Sequence, residues 1–372
     1  MKLVFISNYL SPHQKPFCDA AWKATGGQFC FVATTAMTAW RTLSGFKELK
    51  APYLVDISSS ANKEVQSIID GADAVITDAE NLDLTRKRYE AGRLTFRCSE
   101  RLFKSRLRYL KAPIHWLKAW KTRRMYFLCS SAYTAQDVNL LGFFKNRCYK
   151  WGYFPEMKTY KSLDVLMQQK EEKIEAPLGV SILWVARPIG WKHPELAIKL
   201  AEYLKQHDCD FHLKMIGSGS LDEKCRALIR SKKLDGCVKM TGALPMNEAR
   251  SAMERSEIFI FTSDRNEGWG AVMNESMNSA CAVVANNAIG SVPYLVEDGI
   301  SGLTYSSEQR FYENVKWLIE HPVERQKMGR AAYKTITEIW NAEIAARNLL
   351  QLIDDLQHGR DTSIKCGPCS KA

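Results

Sequence analysis

Long apolar runs are missing from this chain of 372 residues, and no stretch approaches the ~18 apolar residues that a membrane-spanning helix needs. The cysteine spacing of small disulfide-bonded secreted domains is also missing: apart from Cys366 and Cys369, the 11 cysteines are scattered through the chain. This scatter is typical of free thiols in a reducing cytoplasm. The run 1–7 is too short for a signal peptide and is predicted to be a strand. We therefore expect a cytoplasmic protein.

Positive charge is concentrated in one part of the chain. Residues 1–155 contain 24 lysine and arginine residues against 12 acidic ones, a net charge of +12, whereas residues 156–372 contain 28 against 29. Nearly all of the excess lies in 101–150. The length is sufficient for two domains that each bury a core.

Short apolar runs alternate with helical patterns in both halves, which predicts mainly parallel sheets flanked by helices. Pro155, Pro177 and the charged run 168–173 interrupt the pattern, so residues 156–179 are predicted to be a linker. The predicted strands are Lys2–Ser7, Phe29–Thr34, Tyr53–Ile57, Ala74–Thr77, Leu94–Cys98, Tyr126–Ser130 and Arg147–Tyr153 before it, then Val180–Val185, Phe211–Ile216, Val238–Thr241, Glu257–Phe261, Ala282–Ala285 and Leu303–Tyr305.

These elements predict an α/β protein with two Rossmann-like domains, 1–155 and 180–340, whose strand ends face a shared cleft. Residues 341–358 are predicted to form a C-terminal helix that packs back towards the N-terminal domain. The polar residues 359–372 are predicted to be a disordered tail.

Two cations follow the predicted strand 180–185. Arg187 and Lys192 lie five residues apart, in the kind of loop where open α/β sheets bind ligands. A planar guanidinium and an ammonium group can clamp a diphosphate, but taken alone the two residues are better explained as a pair of surface cations near a turn. The short loop Gly217-Ser218-Gly219 follows the next strand and is weak evidence alone.

Two carboxylates, Glu267 and Glu275, bracket a glycine-bearing loop between a predicted strand and a predicted helix. Such a loop can present backbone N–H groups to an anion. Eight residues of continuous helix span ~12 Å, whereas the paired carboxylates of glycoside hydrolases lie roughly 5–9.5 Å apart. The spacing therefore favours an elongated ligand held at two points. Solvated glutamates at a helix start are the alternative.

Taken together, these segments resemble the donor-binding half of retaining glycosyltransferases of family 4. The resemblance covers 180–320 well and the N-terminal half only in its alternation of strands and helices. It implies the GT-B fold, with two Rossmann-like domains facing a central cleft, and transfer of a sugar from a nucleotide-sugar donor to a glycan or lipid-linked acceptor. We expect a role in bacterial surface polysaccharide biosynthesis. The matching segments are Arg187 to Lys192, Gly217-Ser218-Gly219, Thr241-Gly242, Glu267 to Glu275, Gly290, Asp298-Gly299 and Gly302-Leu303.

The resemblance also implies roles for single residues. Arg187 and Lys192 would hold the donor diphosphate and stabilise the leaving nucleotide. Glu267 would bind the hydroxyls of the donor sugar, and Glu275 would bind the ribose. No metal ion or other cofactor is implied, because cations and helix N-termini neutralise the leaving group.

The remaining donor positions lie in loops. Trp269 stands where the family usually has Phe, and Ser291 and Tyr294 stand where it usually has Gly and Glu, so the identity of the donor sugar stays open. The amides of residues 268–270 would approach the sugar and phosphate, and residues 243 and 244 would lie near the base. The full set is Gly217, Gly219, Ala243, Leu244, Gly268, Trp269 and Gly270.

The acceptor site is expected in the N-terminal half, where the sequence is least specific. His13 lies in the loop after the first strand, and Glu100 follows a later strand. Both are candidates for the cleft. A histidine bonded to backbone at a helix start explains His13 equally well.

The segment 101–124 contains nine lysine and arginine residues and no acidic residue, interleaved with large apolar side chains such as Trp116 and Trp120. This pattern suits a helix on an anionic membrane surface, where each cation adds about 1 kcal/mol. An amphipathic helix packed on its own domain and a nucleic-acid patch are the alternatives. We expect membrane contact at the inner face of the cytoplasmic membrane, and no nucleic-acid partner.

Three short motifs are set aside. Cys366-Gly367-Pro368-Cys369 spells a redox motif but lies in the predicted disordered tail. Asp208-Cys209-Asp210 spells a metal-binding motif but falls at a helix-to-strand turn. His193 precedes Pro194, which favours a role at a helix start.

Two other functions remain alternatives. One is another GT-B enzyme, such as a phosphorylase or a nucleotide-sugar epimerase. The other is a non-catalytic protein that binds nucleotides or glycans.

Overall fold

The structure, a computed structural model, describes residues 1–36, 49–57, 62–78, 80–102, 124–140, 142, 144–171 and 179–372. The chain divides into two compact units: Met1–Glu156 together with Ile339–Ala372, and Met157–Glu338. Most of the basic segment 101–124 lies outside the described residues. Among those described, every helix is too short or too polar to traverse a bilayer.

Seven strands form the sheet of the first unit, in the order β3-β2-β1-β4-β5-β6-β7, and every neighbouring pair is parallel. The chain winds outward in both directions from β1 and β4, so the strand order reverses between them. In such sheets the crevice beyond the carboxyl ends of the two central strands is the usual ligand site. The strands are β1 Leu3–Ser7, β2 Phe29–Ala33, β3 Leu54–Asp56, β4 Ala74–Thr77, β5 Thr95–Ser99, β6 Met125–Cys129 and β7 Cys148–Lys150.

Four described α-helices connect these strands, and all residues of the central strands β1 and β4 are buried. A strand buried on both faces has a continuous apolar sequence, as Leu3-Val4-Phe5-Ile6 has. The helices are Lys15–Ala24, Asn62–Gly71, Arg86–Glu90 and Thr134–Asn139.

The sheet of the second unit has six parallel strands in the order β10-β9-β8-β11-β12-β13. Its strand order reverses between β8 and β11. The central strand β11 is a continuous apolar run with all four residues buried, and β8 is apolar except for Ser181. The strands are β8 Val180–Val185, β9 Phe211–Ile216, β10 Val238–Met240, β11 Ile258–Phe261, β12 Ala282–Asn286 and β13 Leu303–Tyr305.

The helices of this unit follow the apolar periodicity of the sequence. In Pro194–Gln206, proline occupies the first turn and the core face carries Ala197, Ile198, Ala201 and Leu204. The others are Asp222–Ser231, Met246–Arg255, Ala271–Asn278, Val292–Leu295, Glu308–Glu320 and Pro322–Lys334. All thirteen predicted strands are found, most of them within one or two residues of the predicted bounds. The predicted cleft stays a prediction.

The predicted linker 156–179 contains a helix, Leu163–Glu171. Its Lys170 is buried, and the ammonium group donates to the carbonyl oxygens of Met253 and Ser256 at 3.0 and 2.5 Å. These carbonyls end the helix Met246–Arg255, so Lys170 supplies the hydrogen bonds that the helix terminus lacks. The helix is polar in sequence, yet its Lys170 is buried and hydrogen-bonded to a neighbouring helix end.

The prediction of a disordered tail is wrong. The chain returns to the first unit at Ile339, so the helix Ala342–Gln357 belongs to that unit, as predicted, and the residues after it run beside β7. Lys150 N donates to Ser370 O at 2.8 Å, and Cys369 N donates to Lys150 O at 2.7 Å. Cys369 is fully buried, whereas Cys366 is exposed. The tail therefore covers the edge of the sheet.

Gly367→Ala tests this placement of the tail. Gly367 has φ of +73°, and a methyl group built there would lie 2.8 Å from Ile339 Cγ2. We expect a cost of about 1 kcal/mol for the left-handed backbone and about 1 kcal/mol or more for the overpacking.

Gly359→Ala is the matched control, because Gly359 has φ of +71° and open space around it. Calorimetry of both variants should show the larger loss of melting temperature for Gly367→Ala. Equal losses would contradict the packed tail.

Candidate functional site

An ion pair joins the loops that follow β8 and β11, at the reversal point of the second sheet. Lys192 follows β8, Glu267 follows β11, and the Lys192 ammonium group contacts Glu267 Oε2. Their side chains are only 12% and 10% exposed. Ser263 Oγ donates a second hydrogen bond to the same oxygen at 3.1 Å. Two residues 75 positions apart in sequence thus form one ion pair at the edge where α/β sheets bind ligands.

Aromatic rings line the Lys192 side of this pair. The ammonium nitrogen lies 4.3 Å from the centre of the Trp191 ring and 5.9 Å from the centre of the Phe261 ring. Both distances are within the range of cation–π attraction. The rings also exclude water, which strengthens the electrostatic field of the pair.

Hydrogen bonds fix the backbone on both sides of the pair. Trp184 Nε1 donates to Thr262 Oγ1 at 2.8 Å, and the same hydroxyl donates to Lys192 O at 2.7 Å. Asp264 N donates to Trp191 O at 3.0 Å. The loops after β8 and β11 therefore hold each other in place independently of the ion pair.

His193 and Asp264 form a second link between these loops. His193 lies in the left-handed region, with φ of 50°, directly before the helix Pro194–Gln206. Its Nε2 is 3.2 Å from Asp264 Oδ2, and its Nδ1 is 3.1 Å from Glu195 Oε1. The predicted helix-start position of His193 is confirmed. Asp264 was missed, although the polar run Thr262-Ser263-Asp264 directly after a buried strand was a usable sign.

Gly270 makes the turn from the loop into the helix Ala271–Asn278. Its φ is 81°, and a methyl group there would overlap the ring of Phe261. Trp269 beside it is fully buried, and its Nε1 donates to Asn274 Oδ1 at 2.8 Å. The indole therefore packs in the core, which leaves only the backbone of Trp269 for ligand contact.

The loop after β12 supports the same turn from its other side. Ser291 Oγ donates to Trp269 O, and Gly290 N donates to Glu267 O at 3.2 Å. Ser291 is fully buried. The serine that departs from the family pattern thus has a structural partner, a role that the sequence alone did not reveal.

Glu275 lies in the second turn of the helix that starts at Ala271. Glu267 precedes that helix, so the 12 Å spacing of a continuous helix does not apply to the two carboxylates. Burial raises the pKa of Glu275 above its ordinary value of 4.5, and the positive charge of Arg250 opposes this shift. Arg250 is itself buried and donates to Asn278 Oδ1.

The loops after β8, β9 and β10 meet at their backbones. Gly217 has φ of +139°, and a methyl group there would overlap Ala186 O; at Gly219 it would lie 2.5 Å from Pro188 O. These close approaches explain both glycines without a ligand. Ala243 N donates to Ser218 Oγ at 3.0 Å, which joins the third loop.

The other predicted positions fall into two groups. Arg187 and Ala243 are exposed and Leu244 is half-buried, all on loops of the second unit, whereas Gly268 is buried. His13 and Glu100 lie in the first unit, where both line a cavity of about 550 Å³. The structure therefore brings Lys192 and Glu267 into contact and assigns the predicted acceptor residues to a separate cavity.

Gly270→Ala tests the tight turn. The substitution should lower the melting temperature through about 1 kcal/mol of backbone strain and about 1–3 kcal/mol of overpacking against Phe261. Gly299→Ala is the control, since Gly299 has φ of +82° and no neighbour within 4 Å. A Gly270→Ala variant as stable as the control would rule out the described turn.

Glu275→Gln tests the buried carboxyl by its pH dependence. A raised pKa means that the folded state binds more protons than the unfolded state, so the stability of the wild type falls as pH rises from 4.5 through the folded pKa. At neutral pH the variant should melt at a higher temperature than the wild type. This advantage should shrink as pH is lowered below 4.5.

The control for this comparison is Glu248→Gln, on an exposed position of the helix Met246–Arg255. Calorimetry across the pH range supplies the melting temperatures. A difference in melting temperature between Glu275→Gln and the wild type that does not change with pH would contradict a raised pKa of Glu275.

Comparisons with known proteins agree with this architecture. Residues 168–335 match the family model of glycosyl transferases group 1. The chain is 27% identical over 214 residues to the amylovoran biosynthesis glycosyltransferase AmsK of Erwinia amylovora, which covers 56% of this chain and 50% of that protein. It is also 27% identical over 163 residues to the putative colanic acid biosynthesis glycosyltransferase WcaL of Salmonella typhimurium, covering 42% of this chain and 40% of that protein. The chain thus spans about half the length of the curated relatives it matches, or less.

Solved structures resemble the whole chain. Anabaena Alr3699/HepE in complex with UDP and glucose has a TM-score of 0.68 at 14% identity, covering 95% of this chain and 100% of that one. A glycosyltransferase from Rickettsia africae has a TM-score of 0.66 at 16% identity, covering 96% and 98%. At such identities the likeness shows the fold. The chain therefore has the GT-B fold, and its residues 168–335 match the model of the glycosyl transferases group 1 family.

Proposed function

We propose that this chain is a retaining glycosyltransferase that moves a sugar from a nucleotide-sugar donor to a glycan or lipid-linked acceptor in bacterial surface polysaccharide biosynthesis. The observation that carries the proposal is the contact between Lys192 and Glu267 at the reversal point of the second sheet. A cation and a carboxylate held side by side match the two ends of a sugar diphosphate, which needs a positive partner for phosphate and an acceptor for sugar hydroxyls.

Each donor group then has a partner in the second unit. Lys192 and the exposed Arg187 bind the diphosphate, Glu267 accepts hydrogen bonds from hydroxyls of the sugar, and Glu275 binds the ribose. The amides at the turn of Gly270 add donors at a helix N-terminus, where negative charge is stabilised. Ala243 and Leu244 adjoin the base.

The reaction breaks the bond between the anomeric carbon of the donor sugar and a diphosphate oxygen. The leaving nucleoside diphosphate keeps the electron pair, and Lys192 and Arg187 neutralise its developing charge. An acceptor hydroxyl forms the new bond on the same face of the sugar, and its proton passes to the leaving phosphate. The chain uses no metal ion or other cofactor in this proposal, so activity should survive chelation with EDTA.

The similar solved structures suggest a donor nucleotide, and the basic segment suggests a location for the protein. UDP is the nucleotide named in several of the solved structures that resemble this chain, so UDP-sugars are the first donors to test. The basic segment 101–124 would hold the enzyme on the cytoplasmic face of an anionic membrane, close to a lipid-linked acceptor.

Glu267→Gln and Lys192→Met test the proposal. The purified variants are incubated with a panel of nucleotide sugars and acceptors, and release of nucleoside diphosphate is measured. The transfer rate of each variant should fall by about 100-fold or more. Each substitution removes a protein charge that is positioned beside the reacting sugar diphosphate.

Glu308→Gln is the control, because Glu308 forms an exposed ion pair with Lys199 in the same unit. This variant should transfer sugar at the wild-type rate. Stabilisation by UDP or GDP in a thermal-shift assay reports donor binding separately. A fully active Glu267→Gln variant would refute the assigned role. Sugar interconversion without an acceptor would identify an epimerase, and nucleotide binding without turnover would identify a non-catalytic protein.

A further inference from the structure

His193 adopts an unfavourable backbone conformation directly after Lys192. Its φ is 50° and its ψ is 54°, which places it in the left-handed region. That region is unfavourable for a residue with a Cβ atom, whereas glycine adopts it freely. Residues of this kind persist where the surrounding structure fixes them, and they are concentrated at functional sites. The contacts of the imidazole ring are therefore the place to look for the reason that histidine occupies this position.

The imidazole ring of His193 joins two elements of the second unit. Its Nε2 lies 3.2 Å from Asp264 Oδ2, in the loop after β11. Its Nδ1 lies 3.1 Å from Glu195 Oε1, in the first turn of the helix Pro194–Gln206. The three side chains are between 31% and 38% exposed. The ring therefore ties the loop after β11 to the start of the helix that follows Lys192.

Asp264 also shapes the turn that leads to Glu267. Its Oδ1 accepts hydrogen bonds from Asn266 N and Asn266 Nδ2, both at 2.8 Å. Glu267 N donates to Asp264 O at 3.0 Å. Because Oδ1 bonds within the turn, Oδ2 is the carboxylate oxygen that meets His193. The imidazole thus contacts the residue whose carbonyl group fixes the backbone of Glu267.

The peptide unit between Lys192 and His193 is hydrogen-bonded at both ends. Thr262 Oγ1 donates to Lys192 O at 2.7 Å, and His193 N donates to Gly190 O at 3.2 Å. These bonds fix the backbone from which both side chains start. A rotation that moved the Lys192 side chain away from the loop after β11 would also have to break the contact between His193 and Asp264.

We propose that His193 is a positioning residue, whose bond to Asp264 fixes the Lys192 ammonium group opposite the Glu267 carboxylate. This inference rests on the proposed transferase function and deepens it by adding a residue that acts on the donor site through its neighbours. A displacement of about 1 Å in a reacting group can cost about 100-fold in rate. The flexible stem of a lysine tolerates such a displacement when it only binds a phosphate. The effect should therefore fall on turnover rather than on donor binding.

His193→Gly tests the proposal, because glycine keeps the left-handed backbone and removes both contacts of the ring. The assay uses the nucleotide sugar and the acceptor that give turnover with the wild type. The kcat should fall about tenfold, whereas the KM for the donor should change by less than about threefold. Thermal stabilisation by UDP or GDP should match that of the wild type.

Two amide variants separate the contact with Asp264 from the contact with Glu195. In His193→Gln the amide nitrogen lies as many bonds from Cα as Nε2 of histidine, so it can donate to Asp264. In His193→Asn it lies as many bonds away as Nδ1, on the side of Glu195. Asparagine is the residue that tolerates the left-handed region better. We expect His193→Asn to be the more stable variant and His193→Gln to be the more active one, an order that a merely structural role would not produce.

Asp208→Gly is the matched control. Asp208 has φ of 52° and is exposed just beyond the other end of the same helix. Its replacement by glycine relieves the same backbone conformation far along the chain from both donor loops. This variant should keep the wild-type kcat and should be at least as stable as the wild type.

A second measurement does not require turnover. Lys192→Met and Glu267→Gln are made singly and together, in the wild type, in His193→Gly and in Asp208→Gly, and urea midpoints are measured. The double-mutant cycle gives the coupling between the two charges. In the His193→Gly background the coupling should fall to about half of its wild-type value or less. In the Asp208→Gly background it should not change.

The outcomes separate this inference from the proposed function. A wild-type kcat in His193→Gly, an undiminished coupling in that background, or an equal loss in Asp208→Gly would each overturn the inference. A loss of kcat that His193→Asn restores better than His193→Gln would do the same. If no nucleotide sugar gives turnover with the wild type, the transferase function is refuted, and the coupling between Lys192 and Glu267 still decides whether His193 positions the pair.

Discussion

The site of the second unit depends on one constraint, the parallel pairing of β8 with β11. Because these central strands run side by side, the loops that leave them start from the same edge, and Lys192 meets Glu267 across 75 positions of sequence. The Thr262 hydroxyl and the backbone of Asp264 fix both loops. The Lys192–Glu267 pair is mostly buried, so removing one member would leave the other charge uncompensated. The neighbouring Gly270 turn and the buried Trp269 then set the direction in which the carboxylate and the helix N-terminus face.

The same topology recurs in the first unit with different side chains at the strand ends. The strand order reverses between β1 and β4 as it does between β8 and β11, and a cavity lies where the first reversal occurs. Carboxylates line this cavity, whereas the reversal point of the second unit carries Lys192 and Arg187. One architecture thus carries a lysine–glutamate ion pair at one reversal point and a cavity lined by carboxylates at the other. The difference comes from a few residues at strand ends, since each sheet supplies only the scaffold.

Two polar segments show where local patterns mislead. The linker helix was missed because its composition is polar, yet Lys170 is buried and its ammonium group donates to carbonyl oxygens at the end of a neighbouring helix. The tail 359–372 was predicted to be disordered for the same reason. Its backbone bonds to Lys150, and Cys369 is buried. In both cases the segment gains its stability from contacts with distant residues, and a hydropathy pattern contains no information about such partners.

The sequence by itself determined the order and type of the elements and the candidates for the site. Buried parallel strands have continuous apolar runs, and tight turns need glycine, so β8, β11 and Gly270 were visible from residue types alone. Only the tertiary structure decided that Lys192 pairs with Glu267, that Trp269 and Ser291 brace the loop from within the core, and that His13 and Glu100 line one cavity. Those contacts join residues far apart in the chain, and their geometry is fixed by sheet order and packing. Local periodicity reports neither.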